Sequence, residues 1–176
     1  MNRAPTSSPA PPELGARGAI GYTRLLSAGK GGRRMEITRA EARATKRGDG
    51  AYFSGEVWLD EIIKSPPETG VNAFRVSFAP GARTAWHTHP KGQILHIEAG
   101  VGRVQLWGAS IEEMGPGDTV YVAPGEKHWH GASPDRLMVH LAIQPVEAGV
   151  DAVWLEQVTD AEYEAGNSAG PGAVSP

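Results

Sequence analysis

All six histidines of this 176-residue chain fall between positions 87 and 140, at His87, His89, His96, His128, His130 and His140. Neutral imidazole is a common ligand for Mn, Fe, Co, Ni and Zn, so such a cluster in strand-forming sequence points to a metal site. His87 and His89 are separated by one residue, which puts both side chains on one face of a strand. Gln93 opens the next run after the turn Pro90-Lys91-Gly92, and His128 comes from a distant strand, so a shared site would tie two parts of the fold together. With His128 facing inward, His130 does the same and Trp129 faces out. His140 shares a face with Met138, Ala142 and Gln144. His130 and His140 are therefore candidates for general base and acid beside a bound substrate, against the alternative that each lines the interior and only orients a ligand. His96 follows Gln93 at odd spacing, points to the opposite face, and is read as a packing or dimer-surface residue. Arg83 shares parity with His87 and offers either a cation to an anionic substrate or a surface ion pair.

The elements that must position these groups are short strands. Phe74 to Phe78 alternates and stops at Pro80-Gly81, placing Phe74, Val76 and Phe78 on one core-facing side. Further strands are expected over Gln93 to Glu98, Gly102 to Trp107, Thr119 to Val122, His128 to His130, Arg136 to Gln144 and Ala152 to Val158. Turn chemistry separates them, as at Gly115-Pro116-Gly117-Asp118 and Pro124-Gly125-Glu126-Lys127. Regular short strands predict an all-β sandwich or barrel. Helix is scarce: Asp60 to Lys64 is expected to make one turn, and the capping box Thr159-Asp160-Ala161-Glu162 predicts a short helix over Asp160 to Ala165. Trp86, Trp107 and Trp129 read as outer-face or interface packing.

Composition narrows the function classes. There is no cysteine, which excludes a thiolate metal site, a cysteine nucleophile and disulfides, and accords with a cytoplasmic setting. Net charge is −3 with scattered basic residues, not the footprint of a nucleic-acid binder. No apolar run reaches the roughly 20 residues that span a bilayer. No serine stands in a nucleophile elbow and no glycine loop is built to cradle phosphate. Residues 1–34 and 166–176 are rich in Pro, Gly, Ser and Ala or Arg and are expected to be disordered extensions around a domain over 35–165. A translation start at Met35 is an alternative account of the first extension.

A resemblance now adds to this reading. The frame Gly81, five residues, His87-Thr88-His89, three residues, Gln93, six residues, Gly100 resembles the first motif of the cupin superfamily. Gly117 to His128, with Pro124 and Gly125, resembles the second, although Gln93 stands where the family usually has glutamate and Ala123 where it has proline. The resemblance implies a double-stranded β-helical barrel with a metal in its mouth. A narrower likeness, carried by Gly81 to Pro90, by Gly92-Gln93, by Pro124 to Ala132 and by His140 to Gln144, is to the manganese-dependent cupin hydroxynitrile lyases. That likeness implies one divalent ion, manganese first among Mn, Fe, Zn, Ni and Co, held by His87, His89, Gln93 and His128, with His130 and His140 beside it. It also implies a homodimer and a small-molecule substrate.

Gln93 has chemical meaning in such a set. Three imidazoles with a neutral amide leave the site near +2, against about +1 with a glutamate. The ion is then a stronger Lewis acid, suited to polarising a substrate oxygen. The leading expectation is thus a metal-dependent lyase of the hydroxynitrile lyase type. A cupin dioxygenase and a non-catalytic metal or small-molecule binding cupin are the alternatives.

Overall fold

The structure, a computed structural model, describes residues 23–27, 34–64 and 70–165. Its strands are, in chain order, β1 Thr23–Ser27, β2 Arg34–Thr38, β3 Lys46–Arg47, β4 Phe53–Ser54, β5 Val57–Ile63, β6 Val71–Phe78, β7 Arg83–Thr84, β8 His87–Thr88, β9 Gln93–Gly100, β10 Gly102–Leu106, β11 Glu112–Met114, β12 Thr119–Val122, β13 His128–Ala132, β14 Met138–Pro145 and β15 Val153–Trp154. A 3-10 turn, Ala40–Ala42, and the helix α1, Asp160–Glu164, complete the set. The chain divides into a unit over Met1–Ile37 and one over Thr38–Pro176. No strand is expected before Met35, yet β1 pairs with β2 in a two-stranded sheet; the rest of the expected extension over 1–34, and the tail over 166–176, lie outside the described residues.

The second unit is the all-β structure that the alternation predicts. One antiparallel sheet runs β12-β9-β14-β6-β5-β3, the other β11-β10-β13-β7-β4 with β8 and β15 joined through β13. Side chains at alternate positions of the first sheet (Val57, Val76, Phe78, Ile97) meet Ala82, Val104, Met114 and Ala132 in one apolar cluster. Burial of these residues, at roughly 25 cal/mol per Å² of apolar surface, is the main term holding the two sheets together. Phe78, Val76 and the half-buried Phe74 occupy the core side, as expected. Gly100 turns β9 into β10 at φ +79, where a Cβ would lie 1.8 Å from the Leu137 carbonyl oxygen, so only glycine fits.

Three local expectations are corrected. Asp60 to Lys64 is not a helical turn; Asp60 lies in β5 opposite Arg75, whose guanidinium reaches it at 3.9 Å and also binds Glu98 at 2.7 Å. The register with β6 gives these backbone groups ladder partners that one isolated turn could not supply. The last strand is confined to Val153–Trp154 rather than Ala152 to Val158. Arg83 is neither in the pocket nor on the surface: it is buried, donates to the Val158 carbonyl at 2.8 and 3.1 Å, and pairs with Asp160 at 2.6 Å.

The C-terminal segment is therefore a structural strap. Thr159 and Glu162 form the predicted capping box, Glu162 N donating to Thr159 Oγ1 at 3.2 Å and Thr159 N to Glu162 Oε2 at 2.8 Å. Behind α1, Tyr163 and Val158 cover the fully buried Trp129 and nearly buried Trp86. These two indoles do lie outside the main core, in a second cluster of their own, while Trp107 stays more than half exposed with Lys127 Nζ 3.4 Å above its ring. Among the described residues no helix is long and apolar enough to cross a membrane.

Candidate metal centre

The site is assembled where β8, β13 and the start of β9 converge. His128 is the direct cross-strand partner of His87, with ring centroids 4.2 Å apart, and the His89 ring lies 5.0 Å from His87 and 5.5 Å from His128. All three are buried. Each is held the same way. His87 Nδ1 donates to the Ala85 carbonyl at 2.9 Å, His128 Nδ1 to the Glu126 carbonyl at 3.0 Å, and His89 Nδ1 to the Asp151 carbonyl. A carbonyl can only accept, so the single proton of each neutral ring sits on Nδ1 and leaves the Nε2 lone pair free. Backbone acceptors of this kind are how metal-ligating histidines are oriented and tuned.

Gln93, at the head of β9, turns its Oε1 to within 3.1 Å of His128 Nε2. Its own Nε2 donates to Gln144 Oε1 at 3.1 Å. Two acceptors thus face each other, since His128 has already spent its proton on Glu126. The His89 Nε2 is buried without a hydrogen-bond partner; the Gln93 amide lies beside it but outside bonding geometry. Opposed lone pairs and an orphaned buried nitrogen are costly arrangements, and a divalent cation answers both at once. The donor set, three imidazole nitrogens and one amide oxygen, suits such an ion.

His130 and His140 form a second imidazole pair. Among the described residues, the imidazoles whose ligand nitrogens all come within 4.8 Å of one another are His87, His128 and His130, so this geometry brings His130 into the group that could hold an ion and leaves His89 outside it. His130 differs from the other three in its partner: its Nδ1 meets His140 Nε2 at 3.3 Å instead of a carbonyl. The proton between them can sit on either ring, so this pair is suited to moving protons rather than to holding an ion with a fixed tautomer. His140 packs on Phe78, 5.4 Å between centroids, and is wholly buried. His96 lies on the other face of β9, its Nδ1 2.9 Å from Thr119 Oγ1, away from the cluster as its parity requires.

Burial sets the electrostatics. Desolvation lowers the pKa of His128 to about 4 and of His140 to about 3. It also pushes His87 and His130 well below the ordinary 6.5, helped by the neighbouring imidazoles, and lowers His89 against the opposing pull of the Asp151 carbonyl. All five rings are therefore neutral at pH 7, the state that both metal binding and proton abstraction require. In the unfolded chain they protonate near 6.5. Below that pH the unfolded state binds more protons than the folded one, so stability that is complete above 6.5 drains away as pH falls toward the folded values. Metal-free protein is expected to show its steepest loss of melting temperature between about pH 6 and about pH 4, read by thermal scans in chelator. A flat profile across that window would contradict the burial argument.

The cluster opens into a cavity of about 240 Å³. Its apolar lining is made by Phe53, Leu59, Phe74, Val76, Phe78 and Trp154. Tyr52 stacks on Trp154 at 4.8 Å, and Trp154 in turn lies 4.7 Å from His87. Thr84 faces the cavity and accepts from the His130 amide at 3.1 Å. The sequence missed Thr84, Tyr52, Leu59 and Asp151, whose positions depend on strand breaks and loops that period-2 reading does not follow. Gln144 was within reach of parity, as a neighbour of His140 on one face of β14.

Comparisons with known proteins follow the same line. The cupin domain family profile matches residues 74–143. The chain is 48% identical over 129 residues to an (R)-mandelonitrile lyase of Granulicella tundricola, covering 73% of this chain and 98% of that protein. Among solved structures it is similar to a cupin-like protein of Thermotoga maritima, with TM-score 0.67, 36% identity, and 70% and 94% of the two chains covered. The polyketide cyclase RemF of Streptomyces resistomycificus shares the fold at TM-score 0.57 and 19% identity, over 77% of this chain and 94% of that one.

Proposed function

The chain belongs to the cupin superfamily, and from that premise we propose that it is a metal-dependent lyase that splits a small cyanohydrin or a related 2-hydroxy compound. The observation that carries the reading is the division of labour among five buried imidazoles: three with Nδ1 fixed on backbone carbonyls and two whose ring nitrogens meet each other. The likeness to an (R)-mandelonitrile lyase supplies the reaction class.

In this reading His87, His89, Gln93 and His128 hold one divalent ion, manganese by the resemblance. When bound, the ion supplies Lewis acidity toward the substrate hydroxyl oxygen. The phenylalanines and Leu59 bind the apolar part of the substrate and exclude water, orienting its hydroxyl toward the histidines. His130 accepts the hydroxyl proton, with His140 behind it sharing the charge. As the oxygen's electron pair forms the carbonyl, the carbon–cyanide bond breaks and cyanide leaves with the bonding pair. The imidazolium of His130 then returns the proton, so aldehyde and hydrogen cyanide are the products and the protein is unchanged. The two-nitrogen partnership matters here, because a lone imidazole buried this deeply would be a reluctant base.

The test is elemental analysis of purified protein together with a mandelonitrile-cleavage assay before and after chelation. One equivalent of metal and cleavage that disappears with chelator and returns with Mn²⁺ are expected. Bound metal without cleavage would remove the lyase reading, and light scattering of the same sample reads the proposed homodimer.

A further inference from the structure

Gln93 has a problem the three histidines do not. An amide presents oxygen on one side and NH₂ on the other, of nearly equal shape, and only the oxygen can bind a cation. Something must choose between the two orientations. Gln144, on β14, is the immediate chooser, since its Oε1 accepts from Gln93 Nε2 at 3.1 Å. Gln144 is itself an amide, however, and flipping both residues together would preserve the bond while turning NH₂ toward the ion. The choice is passed outward to Asp151, whose Oδ2 stands 3.5 Å from Gln144 Nε2 and also accepts from Asn72 Nδ2 at 2.7 Å. A carboxylate can only accept, so it repels the Gln144 carbonyl and attracts its NH₂.

We propose that Asp151 is a positioning residue that sets the amide orientation of Gln93 through Gln144, and thereby the metal affinity of the site; this rests on the metal reading above. The loop carrying Asp151 is shaped for a fixed position. Ala148 at φ +50 and Gly149 at φ +85 turn it back so that Glu147 and Val150 form a β-bridge, and Asp151 follows at the cavity wall. The same residue holds His89 through its main-chain carbonyl. Two of the four proposed ligands are thus aimed by one residue, one by its backbone and the other by its side chain.

The side-chain role has a signature that a merely structural role lacks. Glutamate has two equivalent oxygens and no orientation to choose. In a Gln93→Glu background, moreover, Gln144 must donate inward and show its carbonyl to Asp151, an unfavourable contact. Mn²⁺ dissociation constants of chelator-stripped full-length protein, from the electron paramagnetic resonance signal of free Mn²⁺, read the difference. Asp151→Ala is expected to weaken Mn²⁺ binding about tenfold to a hundredfold with Gln93 in place. With Gln93→Glu it is expected to cost nothing or to strengthen binding. Gln144→Leu, which leaves the loop untouched, is expected to reproduce the loss in the Gln93 background. Equal losses from Asp151→Ala in both backgrounds, or no loss with Gln93 in place, would overturn the proposal. Protein that takes up no Mn²⁺ in any background would overturn the metal reading along with it, whereas failure of the lyase assay alone would touch neither.

Discussion

Replacing His89 with alanine is expected to abolish the rise in melting temperature that Mn²⁺ gives the unaltered protein, and to lower cyanohydrin cleavage by about a thousandfold or more. The rate figure corresponds to losing about 4 kcal/mol of transition-state stabilisation. At a metal concentration about a hundred times its dissociation constant, binding adds about 2.7 kcal/mol to stability by mass action, and that increment should vanish with the ligand. The metal-free comparison makes the prediction specific. His89 Nε2 is buried with no hydrogen-bond partner, so truncation removes an unsatisfied nitrogen, while it also gives up the Nδ1 bond to the Asp151 carbonyl and leaves a void. These effects oppose each other, and the metal-free variant is expected to melt within about 1 kcal/mol of the parent. A large loss of metal-free stability would mean that His89 is a packing residue after all.

His140→Ala should behave in the opposite way. His140 touches His130 rather than the Nε2 cluster, at 3.3 Å, so Mn²⁺ affinity is expected to stay within about twofold while kcat falls by about 10² to 10³. Removing the second ring leaves His130 Nδ1 without its partner, and the proton taken from substrate has one buried nitrogen to occupy instead of a shared pair. The loss is expected in kcat more than in KM, because the phenylalanines and Leu59 that line the cavity are themselves left in place. Paired titration and steady-state measurements separate the cases: a parallel fall in Mn²⁺ affinity would assign His140 to the ion, not to the proton.

Much of this site was legible because β-strands impose a period of two. His128 and His130 share the inner face, Trp129 the outer, and His96 falls opposite Gln93, all from spacing alone. Parity carried His140 and Gln144 to one face of β14 in the same way. It failed for Arg83, and the reason is local. The strand stops at Thr84; Ala85 and Trp86 bond instead to Tyr52 and Glu156, and pairing resumes at His87. The break slips the alternation by one, so Thr84 rather than Arg83 shares the cavity with His87. Arg83, opposite Gly131, is left facing the C-terminal strap. Asp151 was invisible for a related reason, since it sits in a turn defined by positive φ angles and not by any repeat. The family resemblance carried the rest, implying a barrel that hydrophobic spacing alone could not distinguish from a sandwich.

The reach of the contacts around His89 also bears on biosynthesis. Its Nδ1 is fixed by a carbonyl 62 positions further along the chain, and Trp154, beside His87, comes later still. A ribosome that has just released His87, His89 and Gln93 into solution has therefore made the proposed ligands but not their supports. The nascent chain would be a poor chelator until nearly the whole domain has emerged and closed. On the proposed metal reading, ion acquisition would follow synthesis, drawing on whichever metal the finished fold meets.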